Sequence, residues 1–577
     1  MRKMLGQLTL ALLALLMTIA GSAMRPALAA LPTCAILATD PELAHAPGIK
    51  SASSAVVPAS LGNAAFCSVH LLYGTTATEN INIVIALPLS AADGGSGGLQ
   101  GAWSGRTQGL GGGGCTGISA FAPSQLGPVN TGYVISGTDL GHVGGDCTPG
   151  VNADGTYNFE FIEDFIRIAI KQQILFSKLV ASEYYGLRPV HNYWNGCSTG
   201  GRQGYLLAQE LGDELDGILA AAPAIYWTRF QTAQMWGQII MKEMVGGPIS
   251  VPKLAQVQAS AIAACDANDG VVDNIIDDPR SCTFKAEANI CGAPKAPATN
   301  CLTAAEAAAV DKIWDGPRNA KGDKIWFGLD PGSDFIILDG PTPFSLGVIQ
   351  FQWDEHDLNF SWTTVPSSGY PQVAQDGSRN IADVTDTFGA LDEFKAHGGK
   401  LLTWVGANDQ FIYPRGVINY YRQMASRYSR NGKPDFTNLQ SFYRLFRAPS
   451  VGHCGIAIPI APNADGGTVP VDPFGALVDW VEHGKAPDTL LAAGGNVPTR
   501  QRPLCPYPQT AIYNGSGNPD VASSWHCGGN LETSEIVCKD ILARYKHEVH
   551  GRLDFSGSGL DPGQCHVDDR DSDDDDP

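Results

Sequence analysis

Residues 189–211 restrict the fold more than any other stretch of this chain. Pro189 to Trp194 is a short extended run and Gln203 to Leu211 has helical periodicity. Between them stands Gly196-Cys197-Ser198-Thr199-Gly200. Alone, a G-x-S-x-G pentapeptide also describes an ordinary glycine-rich turn. Between a strand and a helix it describes a sharp turn that lifts the serine hydroxyl above a sheet edge. The glycines are required there because neighbouring side chains would collide. Ser198 is therefore the candidate nucleophile.

The flanking segments extend the pattern. Ile81 to Leu89 and Tyr133 to Ile135 read as strands, Asn158 to Tyr185 as a helix, and Gly217 to Ala222 as the next strand. This alternation implies parallel βαβ units. From about Ile225 to Phe394 the rhythm gives way to cysteine pairs, Asp-rich loops and Pro/Gly-rich segments, as in an inserted lid. It returns with strands at Lys400 to Val405 and Ser441 to Phe446 and a helix at Phe474 to His483. The expected class is α/β, an α/β-hydrolase core with an inserted lid domain. The core comprises residues 30–225 and 396–527, the lid 226–395, and a C-terminal extension 528–577. That extension ends in the charge run Asp568 to Asp576, which reads as disordered.

A serine hydroxyl needs a base, and in this fold class the chain order is serine, acid, histidine. Asp409 follows the strand Lys400 to Val405, and His453 follows the strand Ser441 to Phe446. Both stand where such strands end at their C-terminal edge. Asp392 and Glu393 are rivals for the acid, but neither follows a strand. Cys197 precedes the serine and Cys454 follows the histidine. A disulfide between them would clamp the two loops, and the alternative is two unrelated structural cysteines. The oxyanion hole requires backbone N–H groups: that of Thr199, and one from the run Gly111 to Gly114, with Gly113 and Gly114 as the choices.

The chain begins as an exported one does. Arg2 and Lys3 precede the apolar run Leu8 to Ala20, and Ala27-Leu28-Ala29 suits cleavage, so residues 1–29 read as a signal peptide. The expected location is secreted or periplasmic, with no membrane association after cleavage. Fourteen cysteines suit disulfides in that setting. Local pairs Cys265 with Cys282, Cys291 with Cys301 and Cys505 with Cys527 are plausible, and Cys538 with Cys565 in the extension. A net charge of −20 argues against a nucleic-acid partner. Between Cys265 and Cys282 lie five aspartates, three of which, Asp266, Asp269 and Asp273, suit Ca²⁺ with intervening carbonyls; a solvated acidic loop is the other reading.

Cys197-Ser198, Asp409 and His453-Cys454 resemble the CS-D-HC motif of the tannase and feruloyl esterase family, which includes hydrolases of mono(2-hydroxyethyl) terephthalate. Asn195 to Gln203 (NGCSTGGRQ), Gly132 to His142 (GYVISGTDLGH) and Arg502 to Pro508 (RPLCPYP) are similar too, and the resemblance runs from about Cys34 to Cys527. It implies a lid inserted after the nucleophile strand and a serine carboxylic ester hydrolase acting on aromatic acid esters of feruloyl or galloyl type, with terephthalate monoesters as a variant. It also implies a structural calcium ion held by the side chains of Asp266, Asp269 and Asp273 and the carbonyls of Val271 and Ile275. No organic cofactor is implied. A rival from another class is a non-catalytic carbohydrate- or polymer-binding protein on the same scaffold. Trp227, Trp236, Trp353 and Trp362 could line an acyl pocket or form the lid core, and the sequence leaves this open.

Overall fold

The structure, a computed structural model, describes residues 31–531 except 339–344, 382–385, 387–388, 431–432, 456–466 and 496, together with 536–538 and 565–567. The expected signal peptide and the acidic run Asp568 to Asp576 lie outside the described residues.

Nine strands form one sheet: β1 (Ile49–Val57), β2 (Phe66–Tyr73), β3 (Ile81–Pro88), β4 (Arg106–Leu110), β5 (Tyr133–Thr138), β6 (His191–Cys197), β7 (Gly217–Ala221), β8 (Lys400–Gly406) and β9 (Tyr443–Ala448). Their order is β1-β2-β3-β5-β4-β6-β7-β8-β9. The first three and β5 pair antiparallel. From β5 through β4 to β9 every pairing is parallel. A parallel strand buried on both faces has no polar side, and neighbouring residues here enter opposite cores. Trp194, Ile218 and Leu401 belong to one core and Tyr193, Leu219 and Leu402 to the other. Helices Ala169–Tyr185 and Thr199–Glu210 and helix Pro473–His483 complete these layers.

The sequence reading omits β1, β2 and β4, and for β1 and β4 the reason is identifiable. β1 is an edge strand whose side chains are exposed or half-buried, so it lacks an apolar face. β4 buries Thr107 and Gln108, and the Thr107 hydroxyl is hydrogen-bonded to Asn192 Oδ1 at 2.9 Å. The expected helix Asn158 to Tyr185 is interrupted by a π-helical turn at Asp164–Ile168.

Between β7 and β8 the described chain contributes no strand to the sheet and is mostly short helices. Trp236 packs edge-on against Tyr370, and Trp353 is buried with its indole N–H on the Cys147 carbonyl. Trp362 lies half-buried against the same core. Six disulfides join described cysteines: Cys34–Cys67, Cys115–Cys147, Cys197–Cys454, Cys265–Cys282, Cys291–Cys301 and Cys505–Cys527. In the C-terminal extension, two short strands pair with residue 538 opposite residue 565. Among the described residues no helix is long and apolar enough to cross a membrane.

Candidate active site

Ser198 stands between β6 and the helix Thr199–Glu210 with φ 63° and ψ −124°, a backbone conformation L-residues rarely adopt. The turn is closed on both sides. The Ser198 N–H donates to the Ala221 carbonyl at 3.1 Å, and the Ser198 carbonyl accepts from Ala224 N–H at 3.1 Å. A Cβ at Gly196 would stand 2.5 Å from the Gly200 backbone, so no larger residue fits there.

The acid and the histidine come from the loops after β8 and β9. Asp409 is fully buried, and its Oδ2 lies 2.8 Å from His453 Nδ1. Its Oδ1 accepts from the N–H groups of Phe411 at 2.9 Å and Ile412 at 3.0 Å. The two loops are bound to each other, because Asn408 N–H donates to the Val451 carbonyl at 3.1 Å. The Cys197–Cys454 disulfide joins the residue before Ser198 to the residue after His453, with Cα atoms 6.1 Å apart.

Ser198, Thr199, His453, Gly113 and Gly114 open on one cavity of about 340 Å³. The rest of its wall is largely apolar and comes mainly from Trp227, Phe230, Leu346, Phe411 and Ile412. Of the four tryptophans left open, Trp227 alone is among the residues lining this cavity. Its ring packs edge-on against Phe165, and Arg202 lies 5.2 Å from both rings. The sequence reading missed Gln410 and Gln234. Gln410 accepts from the His453 backbone N–H at 3.1 Å and donates to Asp334 at 3.0 Å. Gln234 lines the cavity and donates to the Phe411 carbonyl at 2.7 Å. Neither carries a sequence signal, since glutamines at unremarkable positions are indistinguishable from surface ones.

The glycines of the run differ in what their N–H groups meet. Gly111, Gly112 and Gly113 give their N–H groups to Asn195 O, Gln203 Oε1 and Thr116 O. Gly113 is therefore not a free donor, which narrows the expected pair to Gly114. Gly114 has φ +58°, and its carbonyl accepts from the Thr199 hydroxyl at 2.8 Å.

Behind the cavity wall, at the start of the π-helical turn, Asp164 is buried beside Glu79. Burial first, and then the neighbouring carboxylates Glu79, Glu160 and Asp139, push its carboxyl up to about 8. The folded state thus holds a proton between about pH 4 and pH 8 that the unfolded chain has released, so stability declines as pH rises through that window. Asp164→Asn keeps a donor toward Glu79 and removes this dependence. Its thermal midpoint will fall below or match the parent's at pH 5 and exceed it at pH 8, by roughly 1–2 kcal/mol of stability. Melting curves across pH 5–9 check this.

In the acidic loop, Asp266 Oδ1 accepts from the N–H groups of Asp273 at 2.9 Å, Asn274 at 2.9 Å and Ile275 at 3.2 Å. Asp273 also pairs with Arg502. Asp269 Oδ1 accepts from Val271 N–H at 2.9 Å, while its buried Oδ2 has no partner. Burial raises the Asp269, Asp273 and Asp277 carboxyls, and neighbouring carboxylates raise them further: Asp273 and Asp266 at Asp269, Asp266 at Asp273, and Asp269 and Asp273 at Asp277. Among the described residues no three His, Cys, Asp or Glu side chains converge as a ready metal-binding group. The donor chemistry suits a hard cation; the carboxylates are only partly gathered.

Known proteins resemble this chain along most of its length. The family described as "Tannase and feruloyl esterase" matches residues 99–347 and 344–528. A probable feruloyl esterase of Arthroderma benhamiae is 33% identical over 452 residues, covering 74% of this chain and 80% of its own. Feruloyl esterase B of Aspergillus niger is 29% identical over 419 residues, covering 69% and 77%. Among solved structures, feruloyl esterase B of Aspergillus oryzae superposes with a TM-score of 0.69 at 26% identity, covering 83% of this chain and 96% of the other. The tannin acyl hydrolase of Aspergillus niger, at 24% identity, shares the fold with a TM-score of 0.73, covering 87% and 97%. With an α/β-hydrolase fold and a match that spans most of its length, this chain belongs to the tannase and feruloyl esterase family and is a carboxylic ester hydrolase.

Proposed function

We propose that the enzyme cleaves aromatic acid esters of hydroxycinnamoyl or galloyl type through an acyl-enzyme on Ser198. The observation that carries this is one cavity in which a strained serine and an Asp409-held histidine face an aromatic, largely apolar wall. An acyl group with a planar ring suits such a wall better than a charged or strongly hydrated one.

The hydrogen bonds support the following chemistry. Asp409 accepts the Nδ1–H of His453, which leaves Nε2 unprotonated and able to take the Ser198 proton. Ser198 attacks the ester carbonyl. The developing oxyanion meets the N–H of Thr199, the first residue of its helix and so without an acceptor four residues back, and the N–H of Gly114. His453 then protonates the leaving alcohol, and water repeats the sequence on the acyl-enzyme. Asp409 holds the ring and stabilises the imidazolium that forms.

A panel of methyl ferulate, methyl gallate, mono(2-hydroxyethyl) terephthalate and a short p-nitrophenyl ester tests the substrate class. At least one of the two hydroxylated aromatic esters is expected to turn over. Turnover of the p-nitrophenyl ester alone would leave an ester hydrolase and remove the aromatic assignment.

Two further parts of this reading concern stability and location. A calcium ion held by Asp266, Asp269 and Asp273 with the carbonyls of Val271 and Ile275 would neutralise a crowded acidic loop, and the orphaned Asp269 Oδ2 supports this. Its role is structural, and no catalytic step involves it. Millimolar Ca²⁺ added to chelator-treated protein should raise the melting midpoint by several degrees, and an Asp269→Asn variant should lose that rise. An unchanged midpoint would remove calcium from the account. Export to an oxidising compartment is supported by the amino-terminal pattern and by the disulfides.

A further inference from the structure

The residues that complete the oxyanion side are held from behind, and one of the groups that holds them is titratable. Residues 113–116 form a tight turn in which Gly113 N–H donates to Thr116 O and Thr116 N–H to Gly113 O, each at 2.9 Å. In a trans peptide the C=O and the following N–H point opposite ways. Binding the Gly113 carbonyl inside the turn therefore sends the Gly114 N–H outward. The next two carbonyls are pinned from outside. That of Gly114 accepts from the Thr199 hydroxyl at 2.8 Å, and that of Cys115 meets His142 Nε2 at 2.6 Å. The other ring nitrogen, His142 Nδ1, faces the Leu140 carbonyl at 3.2 Å.

Both partners of this ring are carbonyl oxygens, which only accept. A neutral imidazole has one N–H and can bond one of them; an imidazolium bonds both. We infer that His142 is a positioning residue for ester hydrolysis, an imidazolium that holds the Cys115 carbonyl and with it the Gly114 N–H toward the cavity. This rests on the reading of Gly114 and Thr199 as oxyanion donors.

Aromatic rings and charged groups enclose the His142 ring. His142 packs at a tilt against Phe161 at 4.9 Å and meets the edge of Phe165 at 5.9 Å. Its own loop carries Asp139 and Asp146, and Asp139 Oδ1 accepts from Gly141 N–H at 3.0 Å. The packed helical segment carries Glu160, Glu163, Asp164 and Arg167, with Glu79 beside Asp164 and Arg202 on the far side of Phe165. The Cys115–Cys147 disulfide braces the same loop but does not titrate.

Loss of the His142 proton removes one of its two hydrogen bonds and loosens the turn, so kcat/KM should fall on the alkaline side through a titration separate from that of His453. The test is the pH profile of kcat and KM from pH 5 to 10 on a p-nitrophenyl ester, for the parent, His142→Gln and His142→Lys. Gln donates without titrating and Lys stays charged to higher pH. The expected result is an alkaline limb in the parent that is absent in His142→Gln and displaced upward in His142→Lys. In His142→Gln, kcat should also drop about tenfold at pH 7 with KM within about twofold. A parent profile that stays flat to pH 10 overturns the inference, as does a limb unchanged in either variant. Should one variant not fold, the other and the parent profile decide. Ser198-dependent turnover with a flat profile removes only His142's role, whereas turnover that survives Ser198→Ala removes the oxyanion reading beneath it.

Discussion

Ser198→Ala will lower kcat for any ester this enzyme hydrolyses by about 10⁵–10⁶-fold, the loss seen when the nucleophile of a serine hydrolase is removed. The substitution deletes one oxygen from a half-buried side chain whose backbone is held by its own hydrogen bonds to Ala221 and Ala224. The melting midpoint should therefore stay within a degree or two. Substrate binding to the cavity should persist, because its wall comes from other residues. Steady-state rates, a fluorophosphonate labelling gel and a melting curve make the comparison. Labelling of the parent and not the variant identifies Ser198 as the reacting group. Residual turnover above about a thousandth of the parent's would place the nucleophile elsewhere.

The double variant Cys197→Ala/Cys454→Ala carries the next largest effect, in stability and rate together. This bond spans a sequence separation of 257 residues. Constraint of the unfolded chain by so long a loop is worth about 5 kcal/mol. The bond also joins the residues next to the nucleophile and the base, so its loss lets the Ser198-to-His453 distance vary. A displacement of about 1 Å costs on the order of 100-fold in rate, and a kcat reduction of 10- to 100-fold is expected. Cys505→Ala/Cys527→Ala supplies the comparison. That bond has a separation of 22 residues and lies outside the cavity. Its removal should cost about 3 kcal/mol and leave kcat near the parent's. Equal effects on kcat from both pairs would show that the catalytic-loop bond acts on stability alone.

Much of this site was legible because its signals are local. The glycines around Ser198 declare themselves in a pentapeptide, since the turn excludes side chains whatever lies elsewhere in the chain. Asp409 and His453 were accessible through their positions after strands whose apolar, β-branched or aromatic runs need no partner to be noticed. The short disulfides Cys265–Cys282, Cys291–Cys301 and Cys505–Cys527 follow the same logic of proximity. By contrast, Cys34–Cys67 and Cys115–Cys147 gave no preference among the cysteines, because each joins elements brought together by the sheet and its connections.

What the sequence by itself determined is the order of the parts: the serine on its turn, the parallel strands after it, the aspartate and the histidine on successive loops, and the even set of cysteines. These are properties of short segments, set by steric exclusion and by solvation of side chains at a fixed period. What only the tertiary structure decided is which groups remain available once neighbours have been supplied. Gly113 loses its N–H to Thr116 and Gly114 does not. Trp227 reaches the cavity, while Trp236 and Trp353 enter the core. Gln410 reaches the backbone of His453 from the neighbouring loop. The physical reason is that hydrogen bonds and packing contacts are pairwise. A residue's type states what it can donate, accept or bury, but its partner is chosen by elements that meet only when the chain has folded.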